Sequence, residues 1–418
     1  TLTIGKSGDT VSLGSGASTS GFSKDGAITW DSSIKTANTS ITSGTGFFVD
    51  TTSAAITITL PSSPSVGDIV GMKDYAGTFG TNNLTIARNG SNIQGEANDS
   101  LISTNRASVV LVYADSTRGW LYTVESNVSN FGPLFTATGG TITTDGDFKV
   151  HTFTSSGTFT VTSTSPTSNT VDYLVIAGGA GGGGGIAGGG GAGGYRESFP
   201  NPATGGFPVS AQAYPITVGS GGVKGDTGGN PSGGVGSNSV FSTITSAGGG
   251  GGGGVGQPGA NGGSGGGGSG NSAQPGGTGN TPSVSPPQGN NGGDGVTNGA
   301  PTGDNSGGGG GASAVGANGV LSPTPVGGNG GDGSASSITG SSVTRGGGGG
   351  GSVRGGPGTP GSGGSGGGGQ AGGGAPAATA AAGTANTGGG GGGGGWPSST
   401  YPGAAGGSGV VIIRYKFK

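Results

Sequence analysis

Glycine runs constrain this chain more than any other feature. Of its 418 residues, 114 are Gly, about four times the usual share of roughly 7%. Pure runs stand at 181–185, 188–191, 248–254, 265–268, 307–311, 346–351, 366–369 and 388–395. A glycine run has no side chains, so it cannot build a hydrophobic core. Each Gly held in a regular element also costs about 0.5–1 kcal/mol relative to Ala. Either the runs stay unstructured, or their backbones bond to one another cooperatively and offset that cost.

Three arrangements compete. A flexible linker is the usual meaning of isolated Gly/Ser stretches, but these runs have similar lengths, alternate with short spacers and end in a strong β-strand. Collagen needs Gly strictly at every third position. Gly355, Gly358, Gly361, Gly364 and Gly367 hold that register, with Pro357 and Pro360 between them, and the rest of the chain does not. The third arrangement is a bundle of polyglycine II helices, the glycine form of the polyproline II helix. Such a helix has three residues per turn, rises about 3.1 Å per residue and makes no internal hydrogen bonds. Its N–H and C=O groups must pair with neighbouring segments, with Cα–H···O contacts as a secondary aid. The bundle is the expectation and the linker its main competitor. The spacers Thr281–Ser306, Ala312–Val326, Ser334–Arg345, Ala375–Thr387 and Trp396–Ala405 would then be loops at the bundle ends.

Only 8% of residues are charged and 28% hydrophobic, against about a quarter and nearly half in ordinary domains. The apolar residues must therefore concentrate in a few stretches. Disorder through charge is disfavoured by a net charge of only −3. Nucleic acid is disfavoured as a partner, because 15 Lys+Arg are outnumbered by 18 Asp+Glu and form no basic block. No run approaches the roughly 18 apolar residues of a membrane span, so no membrane insertion is expected. Thr1–Gly5 lacks the basic start and apolar middle of a signal peptide. With no Cys, disulfides, thiolate metal sites and thiol catalysis are excluded together. That suits a particle assembled in a reducing cytoplasm and then released. The chain starts at Thr1 and its only Met is Met72, which reads as a start inside a longer protein.

Three zones follow, all β. Residues 1–40 alternate Leu2, Ile4, Val11 and Leu13 with polar neighbours between Gly and Asp turns, the pattern of thin-cored strands in a shaft or linker. Such strands need stacking or intertwining, so a homotrimer is expected. Residues 41–128 read as a compact β-domain. Ile56, Ile58 and Leu60 alternate before Pro61, which closes the strand. Val66–Val70, Leu84–Arg88 before the Asn89-Gly90 turn, Val109/Leu111/Tyr113 and Trp120–Val124 follow. Residues 134–418 read as a β-sandwich with a glycine-rich insert at about 178–408. The apolar runs 171–176 and 410–415 look like two buried strands of one sheet, and Tyr214–Val218 and Ser239–Ile244 read as further strands of the same sandwich.

Catalytic chemistry finds little support. His151 is the sole histidine and reads as a strand-surface imidazole, not as part of a Ser-His-Asp triad. Gly5-Lys6-Ser7 lacks the upstream Gly of a phosphate loop. Asp145-Gly146-Asp147 reads as a turn, since the other oxygen ligands of a calcium loop are missing. The Asn-x-Ser/Thr sequences at Asn38, Asn83, Asn89, Asn98 and Asn127 are expected by chance at this Ser/Thr content. Paired carboxylates flanking a glycosidic bond could come from Asp68, Asp74, Glu96, Asp99 and Asp115, but turn and surface roles are favoured for all five. No cofactor or metal is expected.

The string Leu60-Pro61-Ser62-Ser63-Pro64-Ser65-Val66-Gly67-Asp68, with Asp74, Gly77, Thr81–Ile86, Gly90, Tyr113 and Gly119-Trp120, resembles a β-domain recurrent in tail-fibre proteins of tailed bacteriophages. Tyr173–Gly179, Gly189–Arg196, Tyr214–Gly219, Asn238–Phe241 and Gly406–Tyr415 resemble the glycine-rich C-terminal domain of marine and cyanophage structural proteins. Together these stretches span most of the chain beyond residue 40. The resemblance implies a virion appendage, usually trimeric, localised on the extracellular particle and joined to other virion tail proteins. It also implies contact with a host cell-surface polysaccharide or outer-membrane protein. The competing readings are a polysaccharide-cleaving tailspike hydrolase and a purely structural head or tail fibre. Gly offers no side chain for recognition, so contact should use the spacers. Aromatics anchor interfaces at low entropic cost, which selects Trp396 and Tyr401. Val320 and Leu321, unusually apolar for an exposed loop, come next. Packing of Trp396 and Tyr401 on the sandwich or along a trimer axis is the competing role.

Overall fold

The computed structural model describes residues 28–127, 135–164, 169–200, 206–227, 231–299, 303–321, 324–355, 357–374, 378–396 and 401–417. The shaft strands containing Leu2, Ile4, Val11 and Leu13 lie outside the described residues. Among the described residues every regular element is a β-strand. The chain divides into two compact units, Thr1–Phe131 and Gly132–Lys418.

The first unit contains β1 (Thr29–Lys35), β2 (Thr39–Ser40), β3 (Thr45–Val49), β4 (Ile56–Thr59), β5 (Ile69–Asp74), β6 (Leu84–Ala87), β7 (Ser100–Ile102), β8 (Ala107–Asp115) and β9 (Gly119–Asn127). They form two sheets, β1-β3-β5-β8-β9 and β2-β4-β6-β7. Residues 29–40, read from sequence with the shaft, pair into both of them through β1 and β2. The period-two alternation places Ile56, Ile58, Leu84 and Ile86 in the core against Val70, Met72, Val109, Leu111 and Trp120. The Asn89-Gly90 turn forms as read, with φ of +49° and +92°.

The second unit begins with a sandwich. Its strands are β10 (Thr136–Thr138), β11 (Thr141–Asp145), β12 (Phe148–Phe153), β13 (Gly157–Ser163), β14 (Thr170–Ile176), β15 (Tyr195–Glu197), β16 (Phe207–Pro208), β17 (Ala213–Thr217), β18 (Ser239–Phe241), β19 (Ile244–Ser246), β20 (Ser334–Ser336), β21 (Val343–Arg345) and β22 (Val410–Lys416). One sheet runs β10-β13-β17-β18-β19. The other runs β11-β12-β22-β14-β15, with β16 beside β14. The two apolar runs share one sheet, in which β14 and β22 are antiparallel neighbours with Tyr173 opposite Ile413. Val171, Tyr173, Val175, Val411, Ile413 and Tyr415 face Phe159, Tyr214, Ile216 and Phe241. The alternate residues Leu174, Ile176, Val410 and Ile412 pack with Val150 and Ile338 on the other face. Burial on both faces is why these two strands read as continuous apolar runs.

Between β14 and β22 the chain forms a hydrogen-bonded glycine bundle. The segment 177–185 shows its rule. Ala177, Ala180 and Gly183 donate to Gly194, Gly191 and Gly188; Gly178, Gly181 and Gly184 donate to Ser237, Gly234 and Pro231; Gly179, Gly182 and Gly185 donate to Gly407, Ala404 and Tyr401. Its carbonyls accept from three other segments: Gly178 and Gly181 from Gly249 and Gly252, Gly179 and Gly182 from Gly222 and Gly225, Ala180 and Gly183 from Gly391 and Gly394. Every third residue faces the same neighbour. This close approach excludes side chains: a Cβ on Gly190 would lie 2.2 Å from the Ala180 oxygen, and one on Gly390 would lie 1.9 Å from the Gly190 oxygen.

The spacers are only partly loops, contrary to expectation. Residues 288–296, 314–320, 378–384 and 401–405 run as further bonded segments, through contacts such as Gly292 N–H to Gly277, Gly316 N–H to Asn291, Ala381 N–H to Gln370 and Ala404 N–H to Gly392. A segment on the bundle surface needs glycine only where it meets its neighbours. Ser334–Arg345 is a β-hairpin, with Ser334 opposite Arg345, and its Ile338 covers the outer face of the β14–β22 sheet.

Candidate binding surface

The direction of each segment gives the bundle two ends. From Ile176 the segment 177–185 leads away from the sandwich, and 186–194 returns antiparallel to β15. The same alternation carries 247–254 and 388–395 outward, parallel to 177–185, and 401–409 back into β22. Nine residues of extended chain reach at most about 32 Å, so the far end stands well away from the sandwich.

All four residues singled out from sequence sit at that far end. Trp396 follows Gly395 at the tip of the segment 388–395 and is 36% exposed. The Tyr401 carbonyl receives the Gly185 N–H, and its own N–H donates to the Gly395 carbonyl, both at 3.0 Å. Pro397–Thr400, which join the two aromatics, lie outside the described residues. Val320 is 46% exposed. It exchanges backbone hydrogen bonds with Val326, 2.8 and 2.9 Å, and its carbonyl accepts from Asn305 Nδ2 at 2.6 Å. Leu321 follows it, half-buried. Packing of Trp396 and Tyr401 against the sandwich does not fit this position.

Two charged residues at this end were missed in the sequence. Arg354 Nη1 lies 2.7 Å from Asp304 Oδ2, and its guanidinium sits 5.4 Å from the Trp396 ring centroid. Asp304 is buried and also accepts from the Thr297 hydroxyl. The ion pair thus fixes the cation that faces the indole, a contact worth about 0.5–1 kcal/mol at exposed sites. No local sequence signal joins them, since they stand 50 residues apart.

The near end holds a polar cluster around the 334–345 hairpin. Glu197 accepts from the Tyr195 hydroxyl at 2.8 Å and from the Ser336 hydroxyl. Burial pushes the Glu197 carboxyl up, and burial first, then the Glu197 charge, pushes the Tyr195 phenol up. Arg414 pairs with Asp145 at 2.8 Å and donates to the Ile338 carbonyl at 3.1 Å. These bonds tie the hairpin to the sheet and leave Asp145 in an ordinary β11–β12 turn.

His151 corrects the sequence reading: it is buried, not on the strand surface. Nδ1 lies 2.7 Å from the Gly139 oxygen and Nε2 3.3 Å from the Tyr415 hydroxyl. The ring meets Phe159 edge-on at 5.1 Å. Burial pushes its pKa down, against the Gly139 bond, which favours the charged form. It is a neutral core imidazole.

Residues 154–416 match the family model of the glycine-rich domain. The chain belongs to that family. No curated protein matches it. The matched stretch takes in β13 to β22 and the whole bundle, while the sandwich strands β10, β11 and β12 precede it.

The first unit lies before the matched glycine-rich domain, and its five candidate carboxylates are placed as follows. Asp74 is buried and accepts the N–H groups of Gly77, Thr78, Phe79 and Arg106. Asp68 accepts from Ser65 and Ser43, Asp99 from Arg88, and Asp115 from Thr117 and Arg118. These four hold turns and loops. Glu96 sits in a tight turn whose backbone N–H donates to Ile93.

Proposed function

We propose that the protein is a virion appendage of the tail-fibre type that attaches non-covalently to a host cell surface through the far-end loops of its glycine bundle. One observation carries this reading: Trp396, Tyr401, Val320 and Leu321 all stand at the end of the bundle remote from the sandwich. The recognition side chains are thus presented on a support made almost entirely of backbone. We infer that this support is a lattice of polyglycine II helices, because its hydrogen bonds repeat every third residue in six directions. The aromatic pair, with Arg354 beside the indole, suits a polysaccharide or an outer-membrane protein. A homotrimer joined to other virion tail proteins fits the thin-cored sequence of residues 1–27.

A double substitution, Trp396→Ala with Tyr401→Ala, tests the reading on intact host cells. Cell binding is expected to fall while the melting temperature stays within the range of surface changes, about 0.5 kcal/mol. Full binding by the double variant would move recognition elsewhere. A stability collapse would make both residues core. Release of shortened polysaccharide by purified protein would favour the hydrolase reading instead.

A further inference from the structure

One surface motif recurs with the same geometry. The Asn261 side-chain oxygen accepts the Thr278 N–H at 2.7 Å, while the next residue, Gly262, donates to the Thr278 carbonyl at 3.1 Å. Asn318-Gly319 holds Asp294 in the same way, at 2.7 and 3.0 Å. Asn329-Gly330 holds Ser362, at 2.9 and 2.9 Å, and Asp332-Gly333 holds Ser365, at 2.8 and 2.8 Å. Each Asx–Gly pair clasps both backbone groups of one residue on an adjacent segment. The four Asx residues and the four clasped residues are all exposed.

Asn-Gly and Asp-Gly ordinarily mark tight turns, as at Asn89-Gly90. None of the clasp residues has a positive φ, so here the dipeptide does something else. In the bundle interior an N–H at the corresponding position goes to the carbonyl of another segment, as from Gly391 to Ala180 or from Gly190 to Gly391. On the clasped flank no further segment lies among the described residues, and a side-chain oxygen supplies the acceptor. Asn291 and Asp294 do the same for the Gly279 and Gly276 N–H groups, both at 2.9 Å. The Ser365 N–H and hydroxyl in turn hold the Asp332 carboxyl below the usual carboxylate range, which keeps it an acceptor.

The capped segments form a continuous flank, in the order 257–262, 275–280, 288–296, 314–320, 325–333 and 359–365. Stripped of its caps, this flank would present N–H groups three residues apart, at Ser362 and Ser365. Water would pair with them singly, but a segment of another chain could pair along the row only if it were glycine-rich, as the close contacts inside the bundle are. The logic is that of an exposed sheet edge, which templates further pairing unless side chains block it.

We propose that the Asx–Gly clasps close this flank against a glycine-rich segment from a second copy of the chain, and so keep the bundle finite. The glycine runs supply cohesion; the clasps supply the boundary.

The test compares two double variants by sedimentation over a range of concentrations. Asn329→Gly with Asp332→Gly removes both the acceptors and the bulk, and is expected to form species larger than the wild type that grow with concentration. Asn329→Leu with Asp332→Leu removes the acceptors but keeps the bulk, and is expected to speed Ser362 and Ser365 amide exchange without added association. The proposal is overturned if the Gly variant exchanges faster at Ser362 and Ser365 but sediments like the wild type. Should that variant fail to fold, Asn318→Gly alone carries the same test: new concentration-dependent association supports the proposal, and wild-type sedimentation overturns it.

Discussion

The sandwich and the bundle belong to one compact unit yet are held together in opposite ways. In the sandwich, side chains do the holding: Phe159 lies against His151, Tyr214, Phe241 and Tyr415, with ring centroids 5.1 to 6.4 Å apart. In the bundle the side chain is the obstacle and the backbone is the glue. Cohesion in the first scales with apolar area removed from water. In the second it scales with paired N–H and C=O groups, each net contribution small but repeated along every segment. The two meet without a break, since β14 continues into 177–185 and 401–409 continues into β22. The same chain therefore switches its source of stability at Ile176 and back again at Val410.

The contrast predicts different sensitivities. Phe159→Ala, at a fully buried position, should cost about 3–5 kcal/mol, the largest effect of a single change proposed for this unit. Denaturant unfolding reads it, and a loss near zero would mean that the sandwich core is not where this half of the unit gains its stability. Gly390→Ala is the matching change in the bundle. It adds one methyl group, a change that commonly stabilises a flexible chain, yet here the methyl would collide with the Gly190 carbonyl. A destabilisation of about 1–3 kcal/mol, the range of overpacked cores, is expected, with faster amide exchange at Gly349 and Gly369, on the segments adjoining 388–395. Unchanged or raised stability would show that the segments are not packed backbone to backbone.

The two regions also differed in how far their sequences could be read. Sandwich strands announced themselves through apolar alternation and through the doubly buried runs 171–176 and 410–415. The pure glycine runs pointed to a backbone-held bundle for a physical reason, because nothing else could hold them. What stayed hidden were the segments 288–296, 314–320 and 378–384. Their outward positions tolerate Asn, Asp, Ala and Thr, so glycine appears only where neighbours touch and the run is broken. The Asx–Gly clasps were hidden for a related reason, since the dipeptide is also the strongest short turn signal. His151 misled because a Thr/Phe strand does not tell which face is covered, while its burial comes from Phe159 of the facing sheet and Tyr415 of β22, 264 residues away. At the far end, Trp396, Tyr401, Val320 and Leu321 were legible as side chains interrupting glycine. Arg354 and Asp304 were not, because an ion pair 50 residues apart in sequence has no local signature.

The bundle exists only if the glycine segments are bonded to one another, and amide hydrogen exchange tests that most directly. Across Gly248–Gly254, donors such as Gly250 to Ser264, Gly252 to Gly181 and Gly253 to Gly267 are all paired at 2.8 to 3.0 Å and buried. Exchange there should be strongly slowed, comparable to that of the β14 and β22 amides in the sandwich. Exchange at free-chain rates through Gly248–Gly254, with β14 and β22 still protected, would mean that the segments are unpaired and return the glycine runs to flexible linkers.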